Sequence, residues 1–86
     1  MEQYNLPQEG VRIPPNHPES EKSVLGAMIR SREAALLAIE TLSPDDFYDP
    51  ANREVYSAMF DMASASRTID LVTLDEELSR RGKLDA

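Results

Sequence analysis

The chain has 86 residues and no cysteine, and its 16 acidic and 9 basic side chains give a net charge of −7. This length allows one small domain without room for a large enclosed cavity, and the absent thiols exclude disulfides, cysteine zinc sites and thiol catalysis. The acidic balance argues against direct nucleic-acid binding, which depends on Lys and Arg, and no apolar run is long enough to cross a membrane.

The first predicted element is an extended leader, residues 1–17, which Pro7, Pro14 and Pro15 interrupt. It has neither an apolar period nor the basic and apolar regions of a secretory signal, so a cytoplasmic location is expected. From residue 18 to residue 86 the apolar side chains recur at helical spacing. The sequence therefore predicts an all-α fold, a small bundle of four main helices plus a short helical turn, preceded by the leader.

The first two helices are predicted over "PESEKSVLGAMIR" and the "REAALLAIETL" that follows it. Pro18 suits the first position of a helix, where a missing N–H costs nothing, and Ser31 is a good N-cap for the second helix. Their short separation predicts an αα-hairpin. Gly26 lowers the stability of the first helix, which suggests that another backbone passes close to it.

The stretch "DDFYD" at residues 45–49 has the DDxxD spacing with which isoprenoid synthases hold Mg²⁺. A capping role is the favoured interpretation, because Ser43 and Asp49 each precede a proline, as caps of two successive helix starts would. Asp46, three residues after Ser43, completes a pattern like a capping box, and Asp45 needs only a solvated first turn. No second acidic motif is present to complete a metal cage.

The third main helix is predicted to begin at Pro50 and to run to about Ala65. Before it, between the two helix starts, Phe47 and Tyr48 are expected to pack against the core. Asn52 is expected on the solvent face of the helix. The apolar stripe of this helix is predicted to be Val55, Tyr56, Met59, Phe60 and Ala63.

The fourth helix is predicted to begin at Leu71, with Asp70 as its cap. Thr73 and Glu76 form a second possible capping box. Gly82 lies where a helix C-terminus favours glycine, and the two arginines before it are expected to be solvated and to match the helix dipole. The buried stripe of this helix is predicted to be Leu71, Leu74 and Leu78.

These patterns predict two sets of structural residues, the helix caps and the core. The residues expected to cap helix starts are Ser31, Ser43, Asp46, Asp49, Asp70 and Thr73. The residues expected to form the core are Val24, Leu25, Met28, Ile39, Phe47, Val55, Met59, Leu74 and Leu78. The methionines, Met62 included, are interpreted as core rather than as an adaptable binding surface. No catalytic, cofactor-binding or metal-binding residue is predicted, and His17, the one histidine, is expected to have a cap or surface role.

Several stretches stand in an order typical of a known family. They are the Pro14-Pro15 pair, the "SVLG" that follows Glu19 and Glu21, the "DFY" that precedes "NREVYSAM", and the segment "IDLVTL…EEL…RG". From Arg12 to Asp85 the chain resembles the N-terminal domain of DnaB-type replicative DNA helicases. It departs from the family pattern at Pro18 and Ser20, neither of which carries a functional group of the family.

The resemblance implies a hexameric, ATP-dependent helicase that unwinds DNA at the replication fork. In that family a helical head, here residues 18–86, pairs with other heads in a collar that organises the hexamer and docks a DnaG-type primase. A helical hairpin and a RecA-like motor follow the head, and this chain is expected to stop before both. ATP and Mg²⁺ belong to the motor, so the 86 residues are expected to be non-catalytic, without a cofactor of their own.

The expected partners are therefore a second copy of the chain and the primase, and neither nucleic acid nor a membrane. The alternative is a small helix-turn-helix regulator, because "TLDEELSRRGKL" looks like the start of such a unit. A recognition helix should follow the glycine in that case, and the net charge of −7 is unfavourable for binding DNA.

Overall fold

The computed structural model describes residues 17–82, so nearly all of the predicted leader and the last four residues lie outside the described range. Within that range the fold is all-α, as predicted. Its elements are α1 (Pro18–Arg30), α2 (Arg32–Thr41), a 3₁₀ turn (Pro44–Asp46), α3 (Pro50–Ser64) and α4 (Leu71–Arg80).

Polar side chains at helix starts accept hydrogen bonds from backbone N–H groups that have no partner inside the helix. The Ser31 hydroxyl accepts from the N–H of Ala34 at 3.1 Å, at the start of α2. The Asp49 carboxylate accepts from Ala51 at 2.8 Å and from Asn52 at 3.2 Å, at the start of α3. These bonds fix where the two helices begin.

Two reciprocal hydrogen bonds between Asp70 and Thr73 form the start of α4. Asp70 Oδ1 accepts from the N–H of Thr73 at 2.9 Å, and Thr73 Oγ1 accepts from the N–H of Asp70 at 3.0 Å. Thr73 therefore lies in the first turn and bonds back to Asp70, and a box between Thr73 and Glu76 does not form. At the 3₁₀ turn, Asp46 Oδ2 accepts from the N–H of Ser43 at 2.7 Å.

The C-terminus of α3 is closed by a Schellman motif. The N–H of Ser66 donates to Ala63 O at 2.9 Å, and the N–H of Arg67 donates to Met62 O at 2.8 Å. This geometry places Ser66 at a positive φ of 60°, and Gly82 has a φ of 77° just after α4. Glycine adopts this conformation without steric cost, whereas serine does not.

The core lies between α1, α2 and α3, and α4 closes it from the α3 side. Phe47 and Tyr56 stack at its centre with ring centroids 4.7 Å apart. The buried apolar residues of the core cluster are Val24, Leu25, Met28, Ala35, Ala38, Leu42, Phe47, Tyr56, Ala58, Met59, Met62, Leu74 and Leu78. Of the expected core residues, Ile39 and Val55 are instead half-buried at its edge, because the smaller Ala38 and Ala58 hold the inward positions of α2 and α3.

Three expectations about individual residues are wrong. Leu71 is 69% exposed and Tyr48 is 63% exposed. The buried positions of α4 begin one turn after Leu71, at Leu74. Of the aromatic pair before α3, only Phe47 enters the core. No other backbone in the described part packs closely on Gly26, since the three atoms nearest to a Cβ there, at 3.2–3.8 Å, all belong to the Arg30 side chain.

Candidate interaction surface

A buried carboxylate joins α1 to the start of α3. Glu21 is fully buried, and it accepts hydrogen bonds from the N–H of Tyr48 at 2.6 Å and the N–H of Asp49 at 3.2 Å. It also accepts from Asn52 Nδ2 at 2.9 Å. All three donors lie within residues 48–52, where the chain enters α3. One side chain of α1 therefore holds the start of α3 in place.

Asn52 was expected on the solvent face of α3, and this expectation is wrong. The side chain is buried because its amide donates to Glu21, and Nδ2 also lies 3.5 Å from Pro18 O. A buried amide needs such partners, since an unsatisfied one costs free energy. Asn52 and Glu21 therefore form a polar contact inside the α1–α3 interface.

The aspartates of "DDFYD" bond to the backbone at two different helix starts. Asp46 accepts from Ser43 and Asp49 accepts from the first turn of α3, while Asp45 is exposed. Within residues 17–82 no three His, Cys, Asp or Glu side chains converge as metal ligands would. The buried carboxylate of Glu21, which bonds to the same segment, is occupied by three N–H donors.

The hydroxyl of Tyr56 ties α3 to the end of α2. It donates towards Leu42 O at 2.9 Å and Ala38 O at 3.2 Å. Burial, and secondarily the negative charge of Asp46, raise the pKa of Tyr56 to about 12. The phenol is thus a structural donor that stays protonated at neutral pH.

A second buried carboxylate, Glu77 in α4, is surrounded by arginines. Its oxygens lie 2.8 Å from Arg67 Nη1, 2.7 Å from Arg80 Nη1 and 2.8 Å from Arg81 Nε, and Arg81 also contacts Asp61 at 2.7 Å. The hydrogen bonds from Arg67 and then Arg81 lower the pKa of Glu77 to about 2.

The arginine pair at the end of α4 is therefore an ion-pair cluster, and the expectation of a merely solvated helix end is wrong. Because Arg67, Arg80 and Arg81 are all within hydrogen-bond distance of Glu77, their charge is largely balanced inside the domain.

A groove of about 400 Å³ opens between the α1–α2 junction and the connector that follows α3. Its lining is mainly apolar, with two arginines among it. The lining residues are Met28, Arg32, Ala35, Leu36, Ala63, Ser66, Arg67, Thr68 and Ile69. Leu36 is 46% exposed there, so the groove exposes apolar surface.

The start of α4 carries a second exposed apolar surface. Val72 is 67% exposed next to the exposed Leu71, and the acidic side chains of Asp75 and Glu76 are exposed one turn later. The start of α4 thus exposes two adjacent apolar side chains that have acidic neighbours.

No helix in the described range has the length and apolar character to cross a bilayer. The fold defines a small all-α domain, in which polar side chains of the interior fix the helices in place.

Comparison with known proteins identifies the family. The model of the DnaB-like helicase N-terminal domain matches residues 13–86. The chain belongs to this family.

Named relatives agree with the assignment. The replicative DNA helicase DnaB of Rhodothermus marinus is 40% identical over 82 residues, which are 95% of this chain and 9% of that protein. The replicative DNA helicase DnaC of Bacillus subtilis is 39% identical over 74 residues, which are 86% of this chain and 16% of that protein. The chain thus spans less than a fifth of either relative.

A solved structure shows the same fold. The crystal structure of the N-terminal domain of DnaB helicase from Mycobacterium tuberculosis matches with a TM-score of 0.78 and 42% identity, and the match covers 85% of this chain and 52% of that one. The predicted resemblance is confirmed, and the helix-turn-helix alternative is set aside.

Proposed function

We propose that the chain is the N-terminal assembly and protein-interaction domain of a replicative DNA helicase. The observation that carries this proposal is the family match over residues 13–86, together with relatives that are named replicative DNA helicases. The helicase would unwind duplex DNA at the fork with ATP, and the domain would help to organise a hexameric collar and to dock a DnaG-type primase.

The chemistry of unwinding would reside outside these 86 residues. The sequence contains no Walker A motif, and its one DDxxD stretch caps helices. ATP and Mg²⁺ would be bound by a motor domain further along the same reading frame. Among residues 17–82 no group of three His, Cys, Asp or Glu side chains could hold a metal ion, and we assign no step of ATP hydrolysis to this domain.

The charges favour protein over DNA as the direct partner of this domain. The net charge is −7, and three of the arginines are paired with Glu77 or Asp61. Lys and Arg free to neutralise phosphates are the main source of nucleic-acid affinity. The proposed site of action is the cytoplasm, where replication proteins and primase would meet.

The test uses the complete reading frame that contains this sequence. We expect a Walker A motif downstream, ATP-dependent unwinding of a forked DNA by the full product, and co-sedimentation of the product with its primase. A version without residues 1–82 should lose the primase contact and keep ATP hydrolysis. Primase binding that survives this deletion unchanged would contradict the proposed role.

A further inference from the structure

The groove beside the α1–α2 junction exposes apolar side chains that the rest of the described range leaves uncovered. Leu36 and Ile69 are among its lining residues, on α2 and on the connector after α3. Leu36 is 46% exposed, and contact of such a side chain with water is unfavourable. The groove therefore has room for an apolar segment from outside residues 17–82.

The charge of the groove narrows the chemistry of that segment. Its two charged lining residues, Arg32 and Arg67, are both cationic. Arg67 is bonded to Glu77 at 2.8 Å. Arg32 is exposed and takes part in none of the ion pairs among residues 17–82. The groove therefore fits an apolar segment that brings a negative charge to Arg32.

The part of the chain before the described range contains a segment of that kind. In the stretch "EGVRI", Glu9, Val11 and Ile13 stand at alternate positions. Successive side chains of an extended chain point to opposite sides, and Pro14 disfavours helical backbone at the residue before it. An extended backbone would therefore present one acidic and two apolar side chains on the same side.

The reach of this segment matches the position of the groove. A helix rises about 1.5 Å per residue, so Met28 in the groove lining lies about 15 Å along α1 from Pro18. Extended and polyproline chains rise about 3.1–3.3 Å per residue, so Ile13 reaches about 16 Å when the chain folds back along α1. Val11 then reaches about 22 Å, level with Arg32 at about 21 Å.

We propose that the leader of the same chain lies in the groove and runs antiparallel to α1. Val11 and Ile13 cover the apolar lining. Glu9 lies beside Arg32 and gives that cation an anionic partner. The attached segment has an advantage over a free one, because a short flexible connection provides an effective concentration in the millimolar range. An outside partner of the groove must displace the leader, so the leader regulates access to this surface.

A nitroxide label on the leader tests this docking in the 86-residue chain. The chain has no cysteine, so Gln8→Cys gives a single attachment point, at a position that alternates with the proposed contact residues. The methyl NMR signals of Leu36 and Ile69 should broaden when the label is oxidised and recover when it is reduced. Signals that are equal in both states would overturn the proposal.

Two variants of the leader separate docking from proximity along the chain. Ile13→Ser removes an apolar contact of the proposed segment, whereas Arg12→Ser changes a neighbour that points to the opposite side. The docking constant should fall about tenfold for Ile13→Ser, because the burial of an isoleucine side chain is lost, and the broadening at Leu36 should fall with it. Arg12→Ser should not weaken docking, and equal losses for the two variants would contradict the proposed contact.

An exchange of charges tests the pairing of Glu9 with Arg32. Arg32→Glu alone and Glu9→Arg alone should each lower the docking constant by up to about fivefold, since each brings like charges together at an exposed site. The double variant joins opposite charges again and should recover the broadening at Leu36. A double variant as weakly docked as the single variants would overturn the pairing. Circular dichroism verifies that every variant keeps its helices.

A mixture distinguishes the same chain from a second copy as the occupant of the groove. Isotope-labelled chains without nitroxide are mixed with nitroxide-labelled chains without isotopes, so that only contacts between copies broaden the observed signals. The Leu36 signal should stay sharp in this mixture, and broadening there would assign the groove to another copy and overturn the proposal. None of these outcomes depends on unwinding or primase binding, so the proposed function is tested separately.

Discussion

At the α1 side of the domain a buried carboxylate is held by neutral N–H donors, whereas at the α4 side another is held by guanidinium groups. Glu21 has no exposed surface and accepts from two backbone N–H groups and one amide. The Glu77 side chain is 9% exposed and faces three arginines whose own side chains are 22–62% exposed.

The difference separates two kinds of stabilisation. The N–H donors of Glu21 cannot separate from it unless the turn before α3 unfolds. Without the carboxylate of Glu21, these donors would be buried and unsatisfied. The arginines around Glu77 can turn into water, where salt screens them. Glu21 should therefore determine whether the domain folds, while Glu77 should adjust stability according to pH and salt.

The largest expected effect is that of Glu21→Gln. The amide offers one acceptor oxygen where the carboxylate offered two, and its NH₂ faces N–H donors. We expect the free energy of unfolding to fall by about 2–4 kcal/mol, as for a broken buried hydrogen-bond network. Urea titration followed by circular dichroism measures it. Glu19→Gln, an exposed change in the same turn, should cost less than about 0.5 kcal/mol, and equal losses for the two variants would refute the role of Glu21.

Tyr56→Phe should have the next largest effect. It removes the hydroxyl that bonds to Leu42 O and Ala38 O and leaves the stacked ring in place. The expected loss is about 1–2 kcal/mol. Tyr48→Phe removes a hydroxyl from a 63% exposed ring and should be neutral. If urea titration finds Tyr56→Phe equally neutral, the hydroxyl does not bind α2 to α3.

A gain in stability is expected for Ser66→Gly, at the positive φ of 60° after α3. Glycine removes the steric cost of that conformation, so we expect about 0.5–1 kcal/mol of stabilisation. Gly82→Ala makes the reverse exchange at φ 77° and should destabilise α4 by a similar amount. Thermal melts show whether each variant is more or less stable than the wild type. A destabilising Ser66→Gly would contradict the assignment of the Schellman motif.

The smallest effect is expected at Glu77, and it should depend on pH. Its folded pKa of about 2 lies below the ordinary value of 4.5, so the unfolded chain binds more protons between these values. The contribution of Glu77 is present above pH 4.5 and is lost as the pH falls towards 2.

The corresponding measurement compares melting temperatures of the wild type and Glu77→Gln from neutral to acid pH. The difference should shrink below pH 4.5, and at neutral pH it should shrink in 1 M salt, where the Debye length is about 3 Å. Glu76→Gln, an exposed neighbour, should leave the neutral-pH melting temperature nearly unchanged. A difference for Glu77→Gln that is constant from pH 7 to pH 2 would contradict the ion-pair account.

The sequence predicted the helix bounds well because local chemistry sets them. Pro18 and Pro50 stand at first helical positions, and Ser31, Asp49 and Asp70 bond within three residues of themselves. Such bonds are visible as short motifs. The family resemblance was visible for the same reason, since it depends on short stretches in a fixed order.

The polar interior was missed because its partners are distant in the chain. Glu21 bonds to residues 27 to 31 positions away, and Glu77 bonds to Arg67 ten positions away. A local signal was nevertheless present. Glu21 precedes Val24, Leu25 and Met28 at stripe spacing, so a polar residue at such a position indicates a buried, partnered side chain.

Surface apolar residues could not be assigned from periodicity. Leu71 fits the stripe of Leu74 and Leu78 by spacing, yet only the latter two are buried. Only the part of an apolar stripe that packs against another helix is buried. The sequence does not show where that packing ends. Periodicity alone therefore could not show that Leu71 is exposed.

The proposed role of this helical domain is to assemble a replicative helicase. The most direct measurement is native mass spectrometry of the complete gene product, with and without residues 1–82. We expect the full product to form a hexamer and the deleted form to lose most of it while it still hydrolyses ATP. Hexamers of equal abundance in both forms would contradict the claim.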